Sequence, residues 1–168
     1  MQTDRHVELY NRVYDRRGLL RTLRILDKAS VILVGAAYLY ALAVLLWVGE
    51  YVSAIKLVAF TATPFIAVSL MRSFIDCKRP YEVFRCEALR EMSEGRKRGH
   101  SFPSRHVFSA FLIGTLWLMY SPYIGVAVLL LGVILAIERT LLGIHFLKDV
   151  VVGALIGILS GAIGMLIW

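Results

Sequence analysis

The chain has 168 residues, the length of one ordinary domain, but 58% of them are hydrophobic and only 18% are charged. Soluble domains average about 45–50% apolar and about 25% charged residues, so this composition excludes a disordered chain and argues against a soluble globule. The net charge is nevertheless +7, with a mean hydropathy of +0.69. A chain that is both apolar and basic is typical of a membrane protein whose charges are concentrated in one region.

Residues 1–28 are polar and basic, and they predict an N-terminal amphipathic helix at the membrane interface. Arginines surround a set of apolar side chains with helical spacing, which are Val7, Tyr10, Tyr14, Leu19, Leu20 and Leu23. Such a helix lies in the interface and attracts anionic lipid headgroups. The alternative is a solvated helix that packs against the rest of the protein.

Long apolar segments predict about five membrane spans. Residues 30–47 and 57–71 are uncharged, and a further uncharged run of 31 residues covers 107–137. A span needs about 20 apolar residues, so this run is divided at Pro122, because proline favours the first turn of a new helix. The sequence therefore predicts an all-α, multi-pass transmembrane helix bundle. Its spans are predicted at residues 30–49, 53–71, 103–120, 122–139 and 149–168.

Alternation of the span directions places nearly all the positive charge on one side of the membrane. This near side comprises residues 1–28 and 72–105 together with Arg139 and Lys148, and it holds every Lys and Arg except Lys56. Lys-rich and Arg-rich loops mark the cytoplasmic side of membrane proteins. We therefore expect a multi-pass protein of the cell membrane with its near side and N-terminus inside and its C-terminus outside.

Three polar clusters interrupt the apolar pattern, and all of them lie on the near side. They are Arg72 with Arg79-Pro80, then Pro103-Ser104-Arg105-His106, then Arg139 with His145 and Asp149. Guanidinium groups match phosphate oxygens and stay charged, and two histidines can divide the roles of nucleophile and acid. Asp149, four residues after His145, can reach it across one helical turn and orient its ring. The start of the third span also offers backbone N–H groups to an anion.

These clusters resemble the three signatures of the type 2 phosphatidic acid phosphatase (PAP2) superfamily of membrane lipid phosphatases. The family pattern is Lys-x6-Arg-Pro, then Pro-Ser-Gly-His, then Ser-Arg-x5-His-x3-Asp. The chain reads Arg72-x6-Arg79-Pro80, Pro103-Ser104-Arg105-His106 and Glu138-Arg139-x5-His145-x3-Asp149. The resemblance implies a single integral-membrane phosphatase domain over residues 1–168, with the basic helix at 1–28 and the bundle at 30–168.

The resemblance further implies that a lipid phosphate is dephosphorylated through a phosphohistidine, without a metal or other cofactor. His145 would be the nucleophile and Asp149 its orienting partner. His106 would protonate the leaving lipid oxygen and then activate water. The phosphoryl oxygens would be held by Arg72, Arg79, Ser104, Arg105 and Arg139. Backbone N–H groups near Arg105 would add further donors.

The chain departs from the family pattern at three positions. Arg72 replaces the family Lys, which keeps the charge but changes its geometry. Arg105 replaces Gly and is expected either to contact substrate at the pocket mouth or to reach toward the headgroups. Glu138 replaces Ser and is expected to pair with a neighbouring Arg. None of the departures removes a residue to which the resemblance assigns chemistry.

Other functions stay open at this stage. A transferase would pass the same phosphoryl group to a lipid or sugar acceptor, and a binding protein would hold a lipid phosphate without turnover. The spacing of Cys77, Cys86, His100 and His106 matches no common zinc pattern, and nucleic-acid binding has no support. The two cysteines are predicted to form a disulfide only if the near side is oxidising.

Three further choices remain open in the sequence. Candidate substrates are phosphatidic acid, phosphatidylglycerophosphate and isoprenoid (di)phosphates. Members of the family that act on envelope lipids usually place the site on the outer side, against the charge bias described above. The small-residue stripe Gly153, Gly157 and Gly161 permits close helix approach, either within the bundle or in an oligomer.

Overall fold

The computed structural model describes residues 2–84, 89 and 98–168, with side chains from His6 onward. Seven helices and no strand occur in these residues. They are α1 (Gln2–Asp15), α2 (Arg17–Trp47), α3 (Tyr51–Phe74), α4 (Pro80–Val83), α5 (Arg105–Tyr120), α6 (Pro122–Leu141) and α7 (Leu147–Ile167). The all-α prediction is confirmed.

Four helices, α2, α3, α6 and α7, have the length and apolar composition that crossing a membrane requires. The remaining predicted span is α5, which has 16 residues and therefore extends only about 24 Å, less than the roughly 30 Å of a bilayer core. It lies at the centre of the bundle and contacts all four longer helices. Since protein surrounds α5, it does not need to match the bilayer thickness on its own.

The division of the long apolar run at Pro122 is confirmed. Pro122 is the first residue of α6, where its missing N–H costs no hydrogen bond. Ser121 precedes it as the N-cap, and its hydroxyl accepts a hydrogen bond from the N–H of Ile124 at 3.5 Å. The break between α5 and α6 is therefore explained by local chemistry alone.

The N-terminal segment differs from the single interfacial helix predicted at 1–28. The helix breaks at Arg16, and α2 then runs without interruption from Arg17 into the first span. Five side chains of this segment are buried against later parts of the chain, namely Tyr10, Val13, Tyr14, Leu20 and Leu23. Four others are exposed, namely Leu9, Leu19, Ile25 and Leu26. Part of the apolar face therefore packs against the bundle, and the interfacial position of the segment stays a prediction. The arginines of α2 within the segment stay exposed.

Helices α5 and α7 approach each other closely along the glycine stripe. A Cβ atom added at Gly153 would come within 2.7 Å of the Ser104 carbonyl oxygen, and one at Gly157 within 2.5 Å of the Phe108 carbonyl oxygen. Only glycine leaves room for backbone at these distances. The stripe therefore serves packing within the bundle, and it brings the first turns of α5 and α7 together.

Substituting Gly157 with Ala is expected to destabilise the protein. The added methyl overlaps the α5 backbone, which cannot move aside like a flexible side chain, so we expect a loss of about 1–3 kcal/mol in the free energy of unfolding. Gly35→Ala in α2 is the matched control, since its added Cβ would meet no other helix or loop of the described structure within 4 Å. SDS-induced unfolding in mixed micelles measures both. Equal stability of the two variants would contradict the packing role.

Candidate active site

The centre of the candidate site is His145, which lies in the turn between α6 and α7. Its side chain is only 3% exposed, and its Nδ1 atom lies 3.6 Å from the Oδ2 atom of the fully buried Asp149. The predicted pairing is therefore present, but it is not made across a helical turn. His145 precedes the helix and Asp149 lies in its first turn, where its Oδ2 atom also accepts the Phe146 N–H at 3.0 Å.

Ser101 completes this network and fixes the hydrogen position on the imidazole. Its hydroxyl donates to Asp149 Oδ2 at 2.5 Å, and the same oxygen lies 3.3 Å from His145 Nδ1. Because the Ser101 hydrogen is used on the carboxylate, its oxygen acts as an acceptor toward the ring. Nδ1 of His145 therefore carries the hydrogen, and the lone pair is on Nε2.

The environment keeps the His145 ring neutral near pH 7. Burial lowers the pKa of His145 to about 4, and the charges of Arg79 and Arg139 act in the same direction against the opposing influence of Asp149. A neutral ring whose Nε2 lone pair is available is the form of histidine that acts as a nucleophile.

His106 lies in the first turn of α5 and, unlike His145, is exposed. It lies within electrostatic range of the charged Arg139. The site thus contains one buried histidine held by a carboxylate and one accessible histidine beside it. This asymmetry suits different chemical roles for the two rings.

Ser104 is the N-cap of α5 and joins the two helices that carry the histidine cluster. Its N–H donates to the Asp149 carbonyl oxygen at 2.9 Å. Its hydroxyl is completely buried and finds no hydrogen-bond partner within the part of the chain that the structure describes. A buried hydroxyl at a helix start, beside the first N–H groups of α5, is suited to an anionic oxygen.

Arg72 is buried at the end of α3, where it holds the loop before α5. Its guanidinium donates to the carbonyl oxygens of His100, Ser101 and Pro103, the second at 3.4 Å. Its contacts in the described structure are therefore with the loop that carries Ser101. A Lys at this position has a single donor atom and cannot span three carbonyls in the same way.

The other three predicted arginines occupy different positions around the site. Arg79, the residue before α4, donates to the carbonyl oxygens of Gly99 at 3.1 Å and Ile144 at 3.4 Å. Arg105 is exposed, and its guanidinium lies 5.9 Å from the centre of the Phe65 ring. Arg139 is mostly buried and forms an ion pair with Asp27 of α2 at 2.6 Å.

Sequence reasoning missed two residues of this arrangement. Ser101 is five residues before His106. Its position in the loop that leads to the second cluster was the feature of the sequence that could have indicated a role in the site. Asp27 is the last acidic residue before the first apolar run, but it is 112 positions from Arg139, so no sequence spacing connects the two. Glu138, which was expected to pair with a neighbouring Arg, is buried within electrostatic range of Asp27 and Arg139.

No group of three or more His, Cys, Asp or Glu side chains arranged for a metal occurs within the described ranges 6–84, 89 and 98–168. Cys77 is half-buried, and its predicted disulfide partner Cys86 lies outside the described residues.

Comparison with known proteins assigns the family. The family model of the PAP2 superfamily matches residues 35–168. The chain belongs to the PAP2 superfamily. Among solved structures it is similar to LpxE from Aquifex aeolicus, with 26% identity over 94% of this chain and 93% of that chain and a TM-score of 0.67. Its fold also resembles a PAP2-type phosphatidylglycerolphosphate phosphatase from Bacillus subtilis, with 16% identity over 96% and 91% and a TM-score of 0.56.

No curated protein sequence matches the chain. The family model and the LpxE similarity nevertheless make this PAP2 protein a multi-pass membrane enzyme of the lipid phosphatase class. Its three signature clusters meet at one end of the bundle, where α3, α5 and α7 begin or end.

Burial of neutral His145 is expected to make stability depend on pH. The pKa is about 4 in the folded protein and 6.5 ordinarily, so the unfolded chain binds the extra proton between these values. Because the unfolded chain takes up this proton and the folded protein does not, the free energy of unfolding is highest above pH 6.5 and falls as the pH falls toward 4. Between about pH 7.5 and about pH 5 we expect a loss of about 2 kcal/mol in the free energy of unfolding.

The comparison variant for this measurement is His145→Gln, which removes the titrating ring. SDS-induced unfolding of both proteins at the two pH values isolates the contribution, because all other titrating groups are shared. An equal pH dependence in wild type and variant would show that the ring is not held neutral by burial.

Proposed function

We propose that this PAP2 protein hydrolyses a phosphomonoester or diphosphate of a lipid through a phosphohistidine on His145, without a metal. The observation that carries the proposal is the buried, neutral His145, oriented by Asp149 and Ser101 and bordered by arginines from separate elements. Because the Nδ1 hydrogen points to this acidic network, Nε2 is available to attack phosphorus.

The first half-reaction transfers the phosphoryl group to the protein. Nε2 of His145 forms a bond to phosphorus while the bond to the lipid oxygen breaks, and the leaving oxygen takes a proton from His106. Asp149 stabilises the positive charge that develops on the phosphorylated ring. An exposed His106 can exchange its proton with water between half-reactions, which the buried His145 cannot do readily.

The second half-reaction returns the protein to its starting state. His106, now neutral, accepts a proton from water as the water oxygen attacks phosphorus. The bond between phosphorus and Nε2 breaks, its electron pair returns to His145, and inorganic phosphate leaves. Both steps balance without any redox partner.

Positive charge and fixed donors hold the phosphoryl oxygens in both steps. We assign this role to Arg79, Arg105, Arg139 and the Ser104 hydroxyl, together with the first N–H groups of α5. Arg72 adds its charge and holds the loop that carries Ser101, as its contacts with three carbonyl oxygens indicate. Stabilisation of the transferring phosphoryl group is then mainly electrostatic, which is consistent with a site without metal.

The proposed substrates are phosphatidic acid, phosphatidylglycerophosphate or an isoprenoid (di)phosphate. The structural relative from Bacillus subtilis acts, by its description, on phosphatidylglycerolphosphate. We further propose that anionic lipids surround the near side, because Arg17, Arg21 and Lys28 project from one face of α2 and are exposed.

Replacing His145 with Ala is expected to abolish phosphate release. Loss of the nucleophile should lower kcat by about 10³-fold or more, while wild type retains its rate in the presence of a metal chelator. The measurement is release of inorganic phosphate from a panel of lipid phosphates in detergent micelles. His6→Ala is the matched control, because it also removes a histidine, but one that lies on α1 outside the three signature clusters and packs against the Phe84 ring at 5.3 Å.

Trapping the intermediate distinguishes the remaining functions. A substrate labelled on phosphorus should give acid-labile, base-stable label on the wild-type protein and none on His145→Ala. Label that passes to a lipid or sugar instead of water would indicate a transferase, and binding without turnover would indicate a binding protein. Equal activity of wild type and His145→Ala would overturn the mechanism.

Thiol accessibility tests the proposed cytoplasmic side of the site. With Cys86 replaced by Ser, an impermeant thiol reagent is expected to label Cys77 only after cells are permeabilised. In a cysteine-free chain, Glu50→Cys in the α2–α3 turn is expected to react in intact cells, because Glu50 is exposed at the opposite end of α3. The reversed pattern would place the site on the outer side.

A further inference from the structure

An ion pair between α2 and α6 connects Arg139 of the third signature cluster to Asp27. Nε of Arg139 lies 2.6 Å from Oδ1 of Asp27, and its Nη2 donates to Oδ2 at 3.3 Å. The two side chains are only 11% and 15% exposed. The second contact is a hydrogen bond, whereas the first is a close ion-pair contact without hydrogen-bond alignment, and together they restrict the position of the guanidinium.

The same arginine also supports His145 through its backbone. The Arg139 carbonyl oxygen accepts the N–H groups of Ile144 at 3.0 Å and His145 at 3.2 Å. Its charge reaches both histidine rings. The position of Arg139 therefore matters to the site from two directions, and Asp27 is a partner that contacts its side chain.

A second carboxylate adjoins this ion pair in sequence. Glu138, the residue before Arg139 on α6, is 2% exposed, and the charges of Asp27 and Arg139 both influence it. Asp27 is in direct contact with the Arg139 guanidinium, with its Oδ1 atom 2.6 Å from Nε.

We propose that Asp27 is a positioning residue of the reaction, which orients the Arg139 guanidinium toward the phosphoryl group. This inference rests on the proposed function. Two effects of removing the Asp27 charge oppose each other. Less neutralisation of Arg139 would strengthen attraction for phosphate, whereas loss of orientation would weaken stabilisation of the transition state. A misplacement of about 1 Å can cost about 10²-fold in rate, so orientation dominates kcat.

A double-mutant cycle tests this inference. Asp27→Asn is expected to lower kcat by about 10–100-fold with a smaller change in KM. In an Arg139→Gln background the same substitution is expected to change kcat less than about threefold, because Asp27 acts through Arg139. Unchanged kcat in Asp27→Asn, or equal effects in both backgrounds, would overturn the proposal.

The matched control removes an ion pair of the same length outside the site. Glu8 and Arg12 on α1 are 2.6 Å apart, but their side chains are 61% and 75% exposed. Glu8→Gln is expected to leave kcat and KM unchanged. A comparable fall in kcat for Glu8→Gln would show that any lost ion pair perturbs the enzyme and would remove the support for Asp27.

A binding measurement separates failure of this inference from failure of the proposed function. Orthovanadate imitates the transferring phosphoryl group and needs no turnover, so calorimetry can compare its Kd in wild type and Asp27→Asn. We expect at least about tenfold weaker vanadate binding in Asp27→Asn, because the proposal has the oriented Arg139 guanidinium contact the vanadate oxygens. Wild type that binds vanadate but releases no phosphate would reject the function alone. Equal vanadate affinity in both proteins would reject the Asp27 role alone.

A charge-preserving substitution controls for the chance that Asp27→Asn fails to fold. Leaving Arg139 buried without its partner can strongly destabilise a bundle. Asp27→Glu keeps the charge but moves the carboxylate by one methylene, so it is expected to fold and still lose kcat. Full activity of Asp27→Glu with an unchanged unfolding midpoint would show that charge alone, without orientation, is sufficient, and would overturn the positioning role.

Discussion

The site depends on the close approach of α5 and α7. The glycine stripe lets the two backbones come within a distance that any side chain would prevent, and this places the start of one helix beside the start of the other. The direct result is the hydrogen bond from the Ser104 N–H to the Asp149 carbonyl oxygen at 2.9 Å. Ser101, Ser104 and His106 thereby meet His145 and Asp149, although the two groups are about 40 residues apart in sequence.

The polar groups of the site are stabilised mainly by hydrogen bonds and ion pairs with one another. Burying charged groups in an apolar bundle is costly unless each has a partner. Arg72 and Arg79 meet this requirement by donating to loop carbonyls, and Arg139 meets it through Asp27. The same contacts also fix the loops that carry the reacting groups. The interactions that stabilise the buried charges are therefore the ones that position the site.

Among the described residues, two sets of positive charges have different physical surroundings. Arg72, Arg79 and Arg139 are buried or half-buried and have defined partners, whereas Arg17, Arg21 and Lys28 form an exposed stripe on the extension of α2. Exposed charges attract anionic headgroups over several ångströms and are screened by salt, while buried ones act at hydrogen-bond distance. The net charge of +7 therefore reflects both membrane association and phosphate chemistry in the proposed function.

The sequence by itself determined the helical class, the spans, the break at Pro122 and the three clusters, because hydrophobic periodicity, proline geometry and motif spacing are local. Only the tertiary structure decided that Arg16 divides the N-terminal segment, that Ser101 joins His145 and Asp149, and that Asp27 pairs with Arg139. These features arise from contacts between distant parts of the chain. Their formation depends on how closely the helices pack, which residue spacing alone does not encode.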